Sequence, residues 1–307
     1  MFEVVFLGTS ASAPSIHRGL SANMVLYREH RFLIDCGEGT QRQILQSGLG
    51  FKRLTKILLT HSHLDHILGL GGLASTISRW ETLETIEIYG GPSTLNRVKD
   101  LLFKVVLRGA DKSALNFKFI PLRSGPIMAD GTFQLSAFPV SHRGPDCYGF
   151  LFEEKSRRPF LNEQAEALGV PIGPERRQLV AGEAITLADG RVIQPEAVLG
   201  PEIPGAKLVF VGDAGRTDNL VEISRNADAL IIESTYIEAD AEMAHNFGHL
   251  TAAQAARLAV EAEVSQLYLT HLSRRYRDQD VLQEARAIFP NTIVARDFDR
   301  IKVTREK

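Results

Sequence analysis

The sequence predicts an α/β (α+β) fold in which two sheets are covered by helices, and three observations predict it. Strands and helices are interspersed along 307 residues without the strict strand–helix–strand spacing of a doubly wound parallel sheet. Several strands end directly on a histidine or an aspartate. The chain is long enough to bury a large core, with the apolar and charged fractions of an ordinary globular protein.

Taken in order, "EVVFLG" alternates and stops at a glycine, as a strand does, and "NMVLYREHRFLIDCGEG" reads as two strands joined by a polar turn. "GTQRQILQSG" is a short helix with glycine just past its end. "KILLT" is a buried strand that leads through "THSHLDH" into the apolar helix "ILGLGGLAST", and "STLNRVKDLLFKVVL" is a further helix. "GTFQLSAFPVSH", "CYGFLFEE", "KLVFVGD" and "DALIIEST" are strands, the last two flanking a short helix. The final third alternates helix and strand: "LTAAQAARLAVEA", "QLYLTH", "DQDVLQEARAIF", "NTIVAR". From Glu153 to Ile203 the rhythm breaks, with prolines among charged residues and one short helix near "NEQAEALGV". Such a stretch within a compact domain is functional or flexible. It is expected to be a flexible inserted arm, residues 153–203, within a single domain spanning 1–307.

The net charge, 35 − 37 = −2, announces neither a nucleic-acid nor a membrane partner, so an anionic ligand has to be held by local patches. Cys36 and Cys147 are too few for a disulfide framework and sit among apolar residues, as reduced core thiols do. The beginning lacks a secretory signal and no run is long and apolar enough to span a membrane, so a cytoplasmic protein is expected.

The chemistry concentrates in "THSHLDH". Zinc takes histidine nitrogen and carboxylate oxygen from side chains that converge on one point. In the extended stretch after "KILLT", His61 and His63 project the same way because they are two apart. Asp65 and His66 fall where a helix begins and face the same crevice from another angle. Clustering ionisable groups behind a buried strand is costly unless a cation compensates it. His142, Asp213 and His271 each follow an apolar strand in the same manner and are further candidate ligands. Taken singly, each could be a capping aspartate or a hydrogen-bonded histidine; together with the cluster they point to metal. His17, His30 and His245 have no such setting. His249, ahead of a helix, is not needed to complete two ligand sets sharing a bridging aspartate, which makes it a candidate general acid.

The segments "FLGTSASAPS", "DCGEGTQRQILQSGL", "YGFLFEEK", "GVPIGPERRQLVAGEAITLADGRVI", "GHLTAAQAARLA" and "LTHLSRRY", with the metal motif, resemble the bacterial ribonuclease Z family of the metallo-β-lactamase superfamily almost end to end. The resemblance implies an αββα four-layer sandwich with two zinc ions per subunit, although manganese also suits such ligands. One zinc would be held by His61, His63 and His142 and the other by Asp65, His66 and His271, with Asp213 bridging and Asp35 supporting the ligand loop. It implies a cytoplasmic, homodimeric endoribonuclease that cleaves precursor tRNA 3′ to the discriminator nucleotide, leaving a 3′-hydroxyl and a 5′-phosphate. Asp65 would orient the attacking water and take its proton; His249, oriented by Glu233, would protonate the leaving oxygen. Ser273, Arg275 and Tyr276 would contact phosphate, and the arm around Gly173 and Pro174 would grip the tRNA elbow across the dimer. The alternative is a related dizinc phosphodiesterase acting on other RNA or on small phosphodiesters. Departures from the family pattern are Leu64 in place of glycine, Ala214 in place of threonine, Ile232 in place of histidine and Leu250 in place of a small hydroxyl residue.

Overall fold

A computed structural model of the chain describes residues 1–80, 83–107 and 115–305. In chain order the strands and helices are β1 (Phe2–Gly8), β2 (Ala22–Tyr27), β3 (His30–Ile34), α1 (Thr40–Gln46), β4 (Lys56–Leu58), α2 (Leu64–Ile67), α3 (Leu70–Trp80), β5 (Thr85–Gly90), α4 (Pro92–Lys99), β6 (Asn116–Pro121), β7 (Gly125–Ala129), β8 (Phe133–Pro139) and β9 (Tyr148–Glu154). The arm follows with α5 (Asn162–Ala167), α6 (Pro174–Val180), β10 (Ile185–Thr186) and β11 (Val192–Ile193). The chain ends with β12 (Lys207–Phe210), α7 (Val221–Ser224), β13 (Ala229–Glu233), α8 (Ala241–Phe247), α9 (Ala252–Glu261), β14 (Leu267–Thr270), α10 (Asp278–Arg286), β15 (Thr292–Val294) and β16 (Arg300–Val303).

Two seven-stranded sheets result, ordered β16-β1-β2-β3-β4-β5-β6 and β15-β14-β13-β12-β9-β8-β7. Each has an antiparallel half and a parallel half: β3 through β6 pair in parallel in the first, and β12 through β15 in the second. Neither sheet is the continuous parallel type, in agreement with the irregular strand–helix spacing.

The alternating side chains of the two sheets meet in a central layer built on Phe2, Phe6, Phe32, Phe133, Phe150, Phe152 and Phe210, all buried. Phe152 lies between Phe2 and Phe32, with ring centroids 5.9 and 5.5 Å away, distances at which tilted aromatic rings attract. The outer face of the first sheet packs on the apolar sides of α1, α3 and α4 through Leu33, Ile44, Leu73, Ile77 and Val98. The outer face of the second sheet is covered by α9 and α10 through Leu258, Ala259, Val281 and Ala285. The order of layers is therefore helix, sheet, sheet, helix, the αββα sandwich.

Two local features depart from the sequence expectation. Residues 100–106 continue α4 in a wider winding that closes with the Leu107 N–H donating to the Leu102 carbonyl, 2.8 Å. The arm, expected to hold little beyond one helix, folds around its own small cluster of Ala165, Val170, Leu179, Ile185, Ile193 and Val198. Its root is closed by a reciprocal backbone pair between Arg157 and Ile203. Cys36 and Cys147 are free and buried, and burial pushes their thiols up to about 12 and about 11. Among the described residues no helix is long and apolar enough to cross a membrane.

Candidate metal centre

The parallel strands of both sheets run toward one end of the sandwich, and their carboxyl ends deliver the functional side chains. β3 ends into Asp35, β4 into Thr60 and His61, β12 into Asp213, β13 into Glu233 and Thr235, and β14 into His271. The antiparallel β8 brings in His142 just past its end, and α2 carries Asp65 and His66. Two of these residues leave their strands with left-handed backbones, Asp35 at φ 59° and His271 at φ 55°. A non-glycine residue in that region costs energy and persists where surrounding contacts over-determine it.

The structure brings the seven sequence-predicted metal residues into one cluster, in two groups: His61, His63, His142 and Asp213, and Asp65, His66 and His271. Asp213 spans them. Its Oδ2 lies 3.6 Å from His61 Nε2 and 3.7 Å from His142 Nε2, whereas its Oδ1 lies 3.4 Å from both His66 Nε2 and His271 Nε2. One carboxylate oxygen thus faces each group. Asp65 Oδ2 closes the second group, 3.4 Å from His271 Nε2, and accepts from the Ser12 N–H at 2.9 Å.

The chemistry of these donors fits a divalent cation. Each imidazole except His63 is held by its outer nitrogen: His66 Nδ1 on Asp35 at 2.7 Å, His61 Nδ1 on the Thr60 hydroxyl at 2.9 Å, His142 Nδ1 on the Gly248 carbonyl at 2.6 Å and His271 Nδ1 on the Thr235 hydroxyl at 3.0 Å. With the proton on the outer nitrogen, the inner nitrogens of His61, His142, His66 and His271 present lone pairs into the cluster, with His66 Nε2 3.3 Å from His271 Nε2; His63 Nδ1 lies 2.9 Å from His61 Nε2 and 3.3 Å from His142 Nε2. Facing nitrogens of this kind need positive charge between them, either a shared proton or a metal cation. Asp213 Oδ1 is buried and has no hydrogen-bond donor among the described residues, a costly state that a cation would also relieve. Histidine nitrogen and carboxylate oxygen without thiolate suit zinc, and manganese as well.

Without a metal, a proton on His66 supplies that charge. Burial opposes charge on the His66 ring, but Asp213 and Asp35 outweigh it and hold His66 well above its ordinary range. Burial and then the neighbouring His66 hold His61 well below it. For Asp213, burial is overcome by His271, His66 and His61, which keep the carboxyl well below the usual carboxylate range. The negative potential of Asp213, Asp65 and Asp35 calls for positive charge at the centre of the cluster.

His249 sits at the edge of the second group, half-buried, with Nδ1 2.8 Å from Glu233 Oε1 and 3.9 Å from Asp213 Oδ2. Burial lowers its affinity for a proton, but Glu233, by charge and hydrogen bond, raises the ring to about 9. A third group of possible ligands, Asp213, His249 and His271, is also within reach of one point. Gly248 places His249: it ends α8 at φ 68°, and a Cβ there would lie 2.7 Å from Arg143 Cγ. Thr251 then caps α9 with a reciprocal Gln254 pair.

Residues that follow His271 in the chain line a cavity of about 580 Å³, with Leu272, Ser273, Arg274 and Tyr276 on its walls together with Arg18, Asp278 and Asp297. Of the three residues that the resemblance assigns to phosphate contact, Ser273 and Tyr276 line this cavity and Arg275 does not; Arg18 and Arg274 also line it. The Tyr276 hydroxyl is bonded to Asp240. Gly173 and Pro174 lie at the start of α6 in the arm and are not part of the cluster.

Sequence departures fall where they leave the donors intact. Ile232 and Leu250 are buried in the layer between the second sheet and α9. The Ala214 N–H donates to Glu233 at 2.8 Å, a bond that any residue there would supply. Leu64 opens α2 and is half exposed, and nothing in the structure explains its replacing glycine.

Comparison with known proteins places this geometry. The chain is 48% identical over 303 residues to ribonuclease Z of Bradyrhizobium diazoefficiens, covering 99% of this chain and 100% of that protein. The chain belongs to the ribonuclease Z family. Residues 169–272 match the model of the beta-lactamase superfamily domain, and residues 2–160 match that of the anti-Pycsar protein Apyc1. Human tRNase Z, short form, superposes with a TM-score of 0.69 at 27% identity, covering 99% of this chain and 100% of that one. The metallo-beta-lactamase fold protein YhfI from Bacillus subtilis has a TM-score of 0.70 at 20% identity, with 98% of each chain covered, which shows the shared fold. Membership of the family makes the protein a hydrolytic enzyme, a nuclease of the metallo-β-lactamase fold, and the histidine and aspartate cluster at the sheet ends is its candidate active site.

Proposed function

We propose that the protein is a dizinc endoribonuclease that matures the 3′ ends of precursor tRNA, cutting 3′ to the discriminator nucleotide and leaving a 3′-hydroxyl and a 5′-phosphate. The observation that carries this reading is the end-to-end likeness to ribonuclease Z, arm included, together with a carboxylate whose two oxygens face two ligand groups. One ion would sit among His61, His63, His142 and Asp213, the other among Asp65, His66, His271 and Asp213. When bound, such a pair of ions acidifies water and stabilises charge on the phosphoryl oxygens.

The chain supplies the rest. Asp65 is the partly exposed carboxylate of the cluster, braced by the Ser12 N–H, and it orients water and accepts its proton. His249, held by Glu233 with its other nitrogen free to face the cleft, donates a proton to the departing 3′ oxygen. Ser273, Arg274 and Tyr276 on the cavity that follows His271, with Arg275 beside them in the chain, contact phosphate. The arm bearing Gly173 and Pro174 grips the substrate by shape and backbone rather than by base reading.

Homodimerisation belongs to the same proposal, and the position of the arm supports it. β9 begins beside the cluster, where the Tyr148 N–H donates to the Thr60 carbonyl at 2.9 Å. It ends six residues later at Glu154, about 20 Å away at strand rise. The arm therefore leaves from the end of the sandwich opposite the site of its own subunit, which is why we assign it to the site of a second one. We place the enzyme in the cytoplasm, in keeping with its two free buried thiols.

Defined precursor tRNAs with and without an encoded CCA, analysed on gels, test the reading. His249→Ala should lose turnover and keep its zinc; loss of zinc would make His249 a ligand. Replacing residues 158–202 by a short Gly/Ser link across the Arg157–Ile203 pair should abolish cleavage of precursor tRNA but spare a small chromogenic phosphodiester. If the intact enzyme cleaves only the small ester, the phosphodiesterase alternative holds instead.

A further inference from the structure

Two threonines occupy matched positions in the two halves of the sandwich, one at the end of β4 and one just past β13. The Thr60 hydroxyl lies 2.8 and 3.1 Å from the two Asp35 oxygens and 2.9 Å from His61 Nδ1. The Thr235 hydroxyl lies 2.5 Å from Glu233 Oε2, 3.0 Å from His271 Nδ1 and 3.1 Å from the His271 carbonyl. Both threonines are buried.

A hydroxyl has one proton to give. At both positions the oxygens around it, carboxylate or carbonyl, can only accept, so the hydroxyl's proton goes to one of them. What remains on the hydroxyl oxygen toward the imidazole is a lone pair. His61 Nδ1 and His271 Nδ1 must therefore carry hydrogen and donate, which leaves each Nε2 with its lone pair pointing into the cluster. A valine in either place would fill the space and remove this constraint, freeing the ring to adopt the other tautomer, whose Nε2–H cannot ligate.

The two halves thus follow one scheme. Asp35 holds His66 directly and His61 through Thr60; Glu233 holds His249 directly and His271 through Thr235. We propose that Thr60 and Thr235 are positioning residues, each setting the tautomer of one histidine that faces the metal, and that Thr235 couples the Glu233–His249 pair to the metal cluster. This inference rests on the two-ion reading of the cluster. It predicts an asymmetry: Thr60 governs the His61, His63, His142 group and Thr235 the Asp65, His66, His271 group.

The test uses the full chain, stripped of metal and titrated with Zn²⁺ against a chromogenic chelator, alongside long-range ¹H–¹⁵N spectra of the histidine rings in the metal-free protein. Loss of such an outer partner lowers metal affinity about 10- to 100-fold. Thr235→Val should weaken one of two binding steps by that factor and leave the other unchanged, Thr60→Val should weaken the other step, and Thr→Ser at either place should restore it. In the spectra, His61 and His271 of the unsubstituted protein should be protonated at Nδ1 and should change tautomer in the valine variants. Unchanged affinities, or both steps falling equally in each single variant, would overturn the proposal. So would Nε2 protonation of these rings in the unsubstituted protein, a result that needs no variant to fold. Fewer than two ions bound by the unsubstituted protein would instead overturn the two-ion reading, and the ring spectra would still decide the role of the threonines.

Discussion

Replacing Asp35 by asparagine removes a charge from the cluster while preserving shape. The side chain is fully buried and takes the Thr60 N–H at 2.8 Å, the Thr60 hydroxyl and His66 Nδ1 at 2.7 Å. Asparagine tolerates the left-handed backbone found here and has the same volume, so the fold of the loop should survive. Its Oδ1 can still accept from the Thr60 N–H. Its amide, however, then turns an N–H toward His66 Nδ1, and the ring must meet it with a lone pair. With the Asp35 charge gone, the neutral ring carries its one proton on Nε2, the atom that faces His271 and Asp213. A hydrogen bond to a charged group contributes about 1.5–3 kcal/mol, and at about 1.4 kcal/mol per tenfold that is a loss of roughly 10- to 150-fold in metal affinity. Because Asp35 also holds Thr60, which holds His61, both binding steps should weaken, in contrast to either threonine variant. Competition titration with zinc, with thermal unfolding as a check on the fold, measures this. Two binding steps within about twofold of the unsubstituted protein in Asp35→Asn would refute the reasoning.

Three further substitutions probe other parts of the structure. Phe152→Ala empties a ring site between the sheets and should cost about 3–5 kcal/mol in urea or thermal unfolding; a loss under 1 kcal/mol would mean that the layer re-closes. Gly212→Ala puts a Cβ 2.9 Å from Thr60 Cβ and Cγ2 where the two halves meet, so it should destabilise by about 1–3 kcal/mol and reduce zinc affinity at the His61 group; unaltered zinc binding would show that Thr60 can give way. Asp278 is held below the usual carboxylate range: burial acts upward, but Arg18 and Arg296 outweigh it. A depressed carboxyl stabilises the fold above its unfolded-state value, near 3.9, and loses that contribution as pH falls through the lower folded value. Asp278→Asn should therefore cost about 0.5–1 kcal/mol at pH 7, given its partial exposure, and the difference should shrink on acidification; a difference that grows toward pH 4 would contradict the assignment.

What could be read from the sequence was what lies along one strand. Apolar runs ending on His61, His142, Asp213 and His271 announce buried strands and the polar positions beyond them, and the interleaved helices announce the layers. What could not be read is contact across elements. Nothing local marks Thr60 and Thr235 as bridges, because their partners Asp35 and His271 approach from other strands. The left-handed backbones of Asp35 and His271 are likewise imposed by tertiary contacts. Edge strand β6 is half exposed and mixes Asn116 and Lys118 with apolar residues, and edge strand β7 is short and opens on Gly125 and Pro126, so neither carries a clear strand signal. The arm hides a six-residue core among prolines and charges. Arg274 and Arg275 are neighbours in a turn, and only the direction of that turn decides which faces the cavity.

The cluster draws donors from His61 through His271, a separation of 210 residues, and from both sheets at once. A cation held there ties distant parts of the chain much as a covalent cross-link does. It can form only after the two halves have docked, and it would then oppose their separation. A ligand at 100 times its dissociation constant adds about 2.7 kcal/mol to the folded state, a sizeable share of the roughly 5–15 kcal/mol by which proteins exceed their unfolded state. On the two-ion reading, loading the site would be the last step of assembly, and a chelator that empties it should lower the unfolding temperature of the whole sandwich as well as its activity.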